Sequence, residues 1–202
     1  MGLLEGKVAL VTGAANGIGR GIALQFAAQG AAVGILDRDE DGARCVAASL
    51  SAHGRRTPAL PADVSRADAV RNSVRRLVTD LGPAAILVHA AGIMPTGTLE
   101  ETSEEDWDRV YAVNAKGAFL TCREVLPLMR EAGGGSIVLM ASITGVSGLP
   151  GLAAYSGTKG ALIALARARS IDYAGEGIRV NSVCPGTIDS PMLHAFAAGR
   201  SD

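Results

Sequence analysis

Short apolar or β-branched runs alternate with longer amphipathic stretches along this chain, and that alternation limits the fold more than any other feature. Val8 to Val11, Ala32 to Leu36, Pro58 to Ala62, Ile86 to Ala90, Ser136 to Met140 and Ile178 to Val183 read as strands. Between them, Ile18 to Gln29, Glu40 to Ala52 and Arg66 to Asp80 read as helices, ended by breakers such as Gly30 and Gly82-Pro83. Two longer helices follow. The first runs from Ser103, an N-cap with Asp106 three residues on, to Glu131, and the second from Leu152 to Tyr173. Pro127 is expected to kink the first of these or begin its last turn. Strands alternating with helices make βαβ units and a parallel sheet. The expected fold is therefore an α/β, doubly wound parallel sheet of Rossmann type with about six strands. Its default order is 3-2-1-4-5-6, with ligands at the carboxyl ends of the strands.

No linker or repeat divides the 202 residues, so a single domain spanning 1–202 is expected. A net charge of −1 lacks the basic excess that nucleic acid or an anionic membrane attracts, and 3% aromatic residues leave little for base stacking. Cys45, Cys122 and Cys184 are odd in number and widely separated. They form neither a disulfide framework nor a metal site, which favours a reducing cytoplasm. Cys184 reads as a small buried hydrophobe. Met1 to Gly6 carries no basic leader region, and Val8 to Thr12 is too short to span a bilayer.

Gly13, Gly17 and Gly19 lie between the first strand and the first helix. A pyrophosphate needs bare backbone N–H groups, no Cβ in the way and a helix N-terminus aimed at its charge. The spacing Gly-x-x-x-Gly-x-Gly differs from the general dinucleotide fingerprint, and its place after a strand and before a helix gives it meaning. Asp37 ends the second strand, 18 residues past Gly19, where an acidic residue binds the adenosine ribose. Its carboxylate accepts from ribose hydroxyls and repels a 2′-phosphate, which selects NAD over NADP. Arg38 beside it could meet such a phosphate, and a solvated side chain is the favoured reading.

Tyr155 and Lys159 stand four residues apart on one helix face, thirteen and seventeen residues after Ser142. A phenol that exchanges protons near neutrality must titrate about 2 to 3 pH units below its usual value, which needs about 3 to 4 kcal/mol. One ammonium about 4 Å away, at an effective dielectric of about 20, offers about 4 kcal/mol. Lys159, helped by an oxidised nicotinamide ring, is expected to lower the Tyr155 pKa on this basis.

With these residues in place the chain resembles a short-chain dehydrogenase/reductase along essentially its whole length. Thr12 to Gly19, including Asn16 and Ile18, is similar to the family's cofactor loop, and Asp63-Val64 to its adenine-contacting pair. Asn114 matches the active-site asparagine, Ser142 the catalytic serine, and Tyr155-Ser156-Gly157-Thr158-Lys159 the Tyr/Lys motif. Asn181 to Gly186, with Pro185, then Ile188, resembles the segment flanking the nicotinamide. The resemblance implies that Tyr155 is the general acid/base and that Lys159 tunes it and holds the nicotinamide ribose. It further implies that Ser142 bonds the reacting oxygen and that Asn114 positions a relay water. Hydride passes directly to the nicotinamide, so no metal is implied.

Two departures accompany the resemblance. Where the family has Asn-Asn-Ala-Gly this chain has His89-Ala90-Ala91-Gly92. Ala90 and Gly92 can still approach the cofactor, while His89 is expected to brace neighbouring strands. The sequence also ends at Asp202, just after Ser190 to Arg200, which begins the substrate lid in the family. A further helix, seventh strand and tail normally follow. The sixth strand is therefore expected as an edge, in a shortened form or a fragment unless something else covers it, with a homodimer through the two long helices rather than a tetramer. The expected activity is NAD-dependent oxidation of a secondary alcohol or reduction of its ketone. Ala153, Ala154 and the Ile143 to Leu152 loop point to a small or moderately apolar substrate. The alternatives are an NADPH-dependent 3-oxoacyl-thioester reductase and, from another class, an inactive dinucleotide sensor or partner subunit.

Overall fold

In the computed structural model, which describes residues 2–52, 54 and 56–199, each apolar run forms a parallel strand. These are β1 (Val8–Thr12), β2 (Ala32–Asp37), β3 (Ala59–Pro61), β4 (Ile86–His89), β5 (Gly135–Met140) and β6 (Ile178–Val183). They form one sheet of order β3-β2-β1-β4-β5-β6, the order read from the sequence. Among the described residues β3 and β6 are its two edges.

The pleat sends alternate side chains to opposite faces, and both faces are covered. Leu10, Leu36, Leu87 and Leu139 share one core with α3 (Ala67–Leu81), α5 (Gly117–Glu131) and α7 (Ala153–Asp172), through Leu77, Val125, Met129 and Leu162. Their neighbours Val11, Ile35, Val88 and Met140 meet α1 (Gly17–Ala28) and α2 (Glu40–Ser51) on the other face, through Ala23, Ala27, Val46 and Leu50. The alanines facing the sheet let α1 lie close to β1, which brings its first turn to the carboxyl end of that strand.

The helix expected over Ser103 to Glu131 is continuous but not uniform. It comprises α4 (Glu104–Val110), a π-helical segment (Tyr111–Lys116) and then α5, with helical backbone at both junctions. Ser103 caps it, its Oγ accepting the Asp106 N–H at 3.0 Å. Pro127 sits inside α5 without ending it. Three elements were not in the sequence reading: a single turn α6 (Thr144–Ser147), a 3-10 turn (Ala174–Glu176) and α8 (Pro191–Gly199). The stretch expected to open a lid forms α8, and Arg200 lies outside the described residues. No helix among the described residues is long and apolar enough to cross a membrane.

Candidate active site

All six strands run the same way, so their carboxyl ends line one edge of the sheet. The crossover direction reverses between β1 and β4, and a crevice opens there. Gly13 occupies it at φ +65°, and a Cβ would stand 2.7 Å from the Ala91 backbone. Gly19 is equally constrained, because its Cβ would lie 2.1 Å from the Gly13 carbonyl oxygen. Thr12 closes the crevice, its Oγ1 accepting from the N–H groups of Ala90 (3.2 Å) and Ala91 (3.1 Å). Asn16, the N-cap of α1, makes no side-chain cap bond, and the first turn holds no acidic residue. The N–H groups at this helix end therefore face an uncrowded, electropositive space.

Asp37 is held at the end of β2 by two backbone donors: Ala15 N–H to Oδ2 at 2.9 Å and Asp39 N–H to Oδ1 at 3.0 Å. A carboxylate has about four acceptor positions, so room remains for two hydroxyl donors. Asp63 Oδ1 accepts from Ser65 N–H (2.8 Å) and Ser65 Oγ (2.7 Å), which fixes the turn carrying Val64. This glycine-rich cradle, ending on a fixed carboxylate, suits a dinucleotide.

One cavity of about 420 Å³ runs from these residues to the far end of the sheet. Its walls include Gly13, Asn16, Gly17, Ile18, Gly19, Asp37, Arg38, Asp63, Val64, Ala90 and Gly92. Beyond them come Ser142, Tyr155, Lys159, Pro185, Gly186 and Ile188. Asn114 does not line it. That residue is fully buried in the π-helical segment, where Nδ2 donates to the Ile93 carbonyl and to Thr158 Oγ1, each at 3.0 Å, and Oδ1 accepts the Ile93 N–H at 2.9 Å.

Ser142 follows β5, and Tyr155 and Lys159 lie on the first turns of α7. Ser142 Oγ accepts from the Thr144 N–H (3.1 Å) and from Thr144 Oγ1 (3.0 Å). Its own proton is left for the Tyr155 oxygen, and this hydrogen bond draws the phenol pKa down. Burial is the larger influence, however, and the net effect raises the Tyr155 pKa above 10. This corrects the expectation that Lys159 lowers it. Lys159 Nζ lies over the phenol ring, 5.4 Å from its centroid, and donates to the Met140 carbonyl at 2.7 Å. Burial also pushes the lysine itself down to about 8.

His89 is fully buried at the end of β4, its Nδ1 3.2 Å from Thr12 Oγ1 and 3.1 Å from Thr121 Oγ1. It thus ties β1 and α5 to β4, the bracing role expected of it. Nε2 has no hydrogen-bond partner. Burial, with the Lys159 charge, pushes the His89 pKa down to about 3, so the ring is neutral near pH 7. Cys184 is half-buried against the core, and the buried Cys122 thiol is pushed up to about 11.

The sequence assigned no role to Thr144 or to Thr158, both buried. Thr158 joins the two halves of the network, accepting from Asn114 and donating to the Tyr155 carbonyl at 2.7 Å. The available signal was their position, two residues after Ser142 and inside the Tyr155–Lys159 interval.

The family model for short chain dehydrogenases matches residues 7–201. An uncharacterized oxidoreductase of Thermotoga maritima is 43% identical over 95% of this chain and 75% of its own length. A 3beta-hydroxysteroid dehydrogenase of Mediterraneibacter gnavus is 36% identical over 98% of this chain and 72% of its own. Among solved structures, a 3-ketoacyl-(acyl-carrier-protein) reductase from Brucella melitensis complexed with NADH superposes with a TM-score of 0.91 at 37% identity, covering 95% of this chain and 80% of that one. By sequence and by fold, the chain belongs to the short-chain dehydrogenase family of oxidoreductases.

Proposed function

We propose that this protein is an NAD-dependent dehydrogenase acting on a secondary alcohol or its ketone. The observation that carries the reading is the continuity, within one cavity, of the Gly13–Gly19 cradle with the Ser142–Tyr155 pair. NAD would supply the hydride acceptor, held by the cradle at its phosphates and by Asp37 at its ribose. In oxidation the alcohol loses hydride from its carbon and its hydroxyl proton to Tyr155; reduction reverses both transfers. Ser142 donates to the reacting oxygen. Lys159 places a cation beside the phenol and a donor at the nicotinamide ribose. The Asn114 side chain holds the Ile93 backbone and Thr158, the residue before Lys159, in place.

Tyr155→Phe tests the reading, since NAD binding should survive while turnover falls by about 1000-fold or more. Undiminished turnover would refute the proton role, and a wild-type protein that binds NAD but oxidises no alcohol would leave the sensor reading. Arg38 lining the cavity beside Asp37 favours a second reading, an NADPH-dependent 3-oxoacyl-thioester reductase. Relative kcat/KM with NAD and NADP separates the two. The protein works in the cytoplasm, its three cysteines free, as a dimer through α4, α5 and α7, where Trp107, Phe119 and Ile171 stand exposed. Sedimentation mass measures that association.

A further inference from the structure

Three segments wall the cavity beyond Ser142 and Tyr155: residues 92–98, 141–154 and 183–199. Backbone hydrogen bonds join them into one mouth, Gly97 N–H to the Gly151 carbonyl at 2.8 Å and Ile143 N–H to the Pro185 carbonyl at 3.0 Å. Asp189 is their only Asp, Glu, Lys or Arg. Its carboxylate points to solvent, 2.7 Å from His194 Nε2, and neither residue lines the cavity. The cations that do line it are Arg38, beside Asp37 at the opposite end, and Lys159, bound to the Met140 carbonyl. Of eleven large hydrophobic side chains exposed among the described residues, four line this cavity: Ile143, Leu149, Ile188 and Met192. Apolar side chains gathered around an opening mark a binding surface.

We propose that the substrate of the dehydrogenase reaction is an uncharged alcohol or ketone with an apolar body that lies against Ile143, Leu149 and Met192. This rests on the functional reading above and names its substrate class. A carboxylate or phosphate at this mouth finds no guanidinium or ammonium to pair with and loses its water on entry, which is costly. Short hydroxy acids are therefore poor substrates, and each methylene of a neutral chain that reaches the wall adds to binding.

The test compares ethyl 3-hydroxybutyrate with 3-hydroxybutyrate, which share the reacting carbon and differ in charge, alongside 2-alkanols of increasing length. The ester should exceed the acid in kcat/KM by about 100-fold or more, and each added methylene should raise kcat/KM by about fourfold until the wall is covered. Leu149→Arg should raise the acid's kcat/KM by about tenfold and lower the ester's. Equal kcat/KM for acid and ester, or no response to chain length, overturns the substrate class. Binding of the same compounds to the Tyr155→Phe protein with NAD reads the preference without chemistry. A failure of catalysis is thereby separated from a failure of this proposal.

The hydrogen bonds around Ser142 independently carry a second inference. A hydroxyl has two acceptor positions and one proton. Both Ser142 acceptor positions are filled by the buried Thr144, from its N–H and its Oγ1. We infer that Thr144 is a positioning residue that turns the Ser142 proton into the site, toward the Tyr155 oxygen in the free protein and toward the reacting oxygen when substrate is bound. Thr144→Val keeps the shape and the backbone donor but loses the hydroxyl donor, so kcat should fall about tenfold at unchanged KM for NAD. The pH limb reporting Tyr155 should move up, and Thr144→Ser should restore both. An unchanged kcat and pH limb in the Val protein, or a folded Ser protein as impaired as Val, overturns the assignment.

Discussion

Replacing His89 with Asn should remove a defined part of the protein's acid sensitivity. An amide keeps a hydrogen-bonding group facing Thr12 and Thr121, while the titrating ring disappears. In the wild type the ring is pushed from 6.5 to about 3, first by burial and then by the Lys159 charge, with the Asn114 backbone acting in the opposite direction. As pH falls through 6.5 the unfolded chain takes up a proton at this site and the folded chain does not. Stability is therefore lost progressively from about pH 6.5 down to about pH 3. At about 1.4 kcal/mol per pH unit the whole window is worth about 5 kcal/mol, of which about 2 kcal/mol falls between pH 7 and pH 5. Urea unfolding followed by Trp107 fluorescence at several pH values measures it. The quantity to compare is the change in unfolding free energy from pH 7 to pH 5 in each protein. Exposed acids such as Asp68 and Glu101, whose pKa values are lowered by local hydrogen bonds, titrate alike in both and cancel. The variant will be less stable at pH 7, because a smaller side chain leaves a gap, but its slope should be shallower by about 2 kcal/mol over this range. Parallel curves would refute the reasoning, since they would mean that the ring is already charged in the fold or reaches water there.

Two further substitutions test the energetics of the site. Lys159→Met should raise stability near neutrality while abolishing turnover. The fold there carries an ammonium whose burial moves its pKa from 10.5 to about 8. Removing that cost of about 3 kcal/mol, less about 1 to 2 kcal/mol for the lost bond to the Met140 carbonyl, leaves a net gain that thermal unfolding can detect. The gain should shrink between about pH 8 and pH 10.5, where the folded wild type releases its proton and the unfolded chain still holds it. Gly19→Ala should destroy NAD binding and destabilise the protein, because its Cβ meets the Gly13 carbonyl oxygen at 2.1 Å. Gly21→Ala, one helical position pair away with nothing within 4 Å of its Cβ, should stabilise α1 by about 0.5 to 1 kcal/mol.

The strands were legible because a buried parallel strand needs a continuous apolar run, and the runs around Leu10, Ile35 and Leu87 have few other uses. The cofactor end was legible because a missing Cβ is a property of single residues: Gly13 and Gly19 announce a close approach wherever the chain goes. The catalytic end was less so. The π-helical segment has no composition of its own, and the partners that commit Asn114, Ile93 and Thr158, are 21 and 44 residues away in sequence. The sign of the Tyr155 shift was misjudged for a related reason. Helical spacing sets two Cβ atoms about 5 to 6 Å apart, but it does not say where a four-carbon side chain ends. Here it ends at the Met140 carbonyl, and desolvation, which depends on the whole fold, outweighs the pairwise attraction.

That difference makes a measurable statement about the resting protein. If burial dominates, Tyr155 in the free protein ionises above 10, and an ultraviolet difference titration of wild type against Tyr155→Phe should place it there. The positive nicotinamide of NAD adds a cation beside the phenol, where water is scarce and charges act strongly. In the complex the same titration should move down by about 2 to 3 pH units, which corresponds to about 3 to 4 kcal/mol. Lys159→Met should leave the free-protein value nearly unchanged, because Lys159 is not among the groups that set it, and should reduce the shift on binding. A phenol already acidic in the free protein would mean that the ammonium does the tuning unaided and that the Met140 bond is not kept in solution. A phenol unmoved by NAD would remove the basis for proton transfer near neutrality.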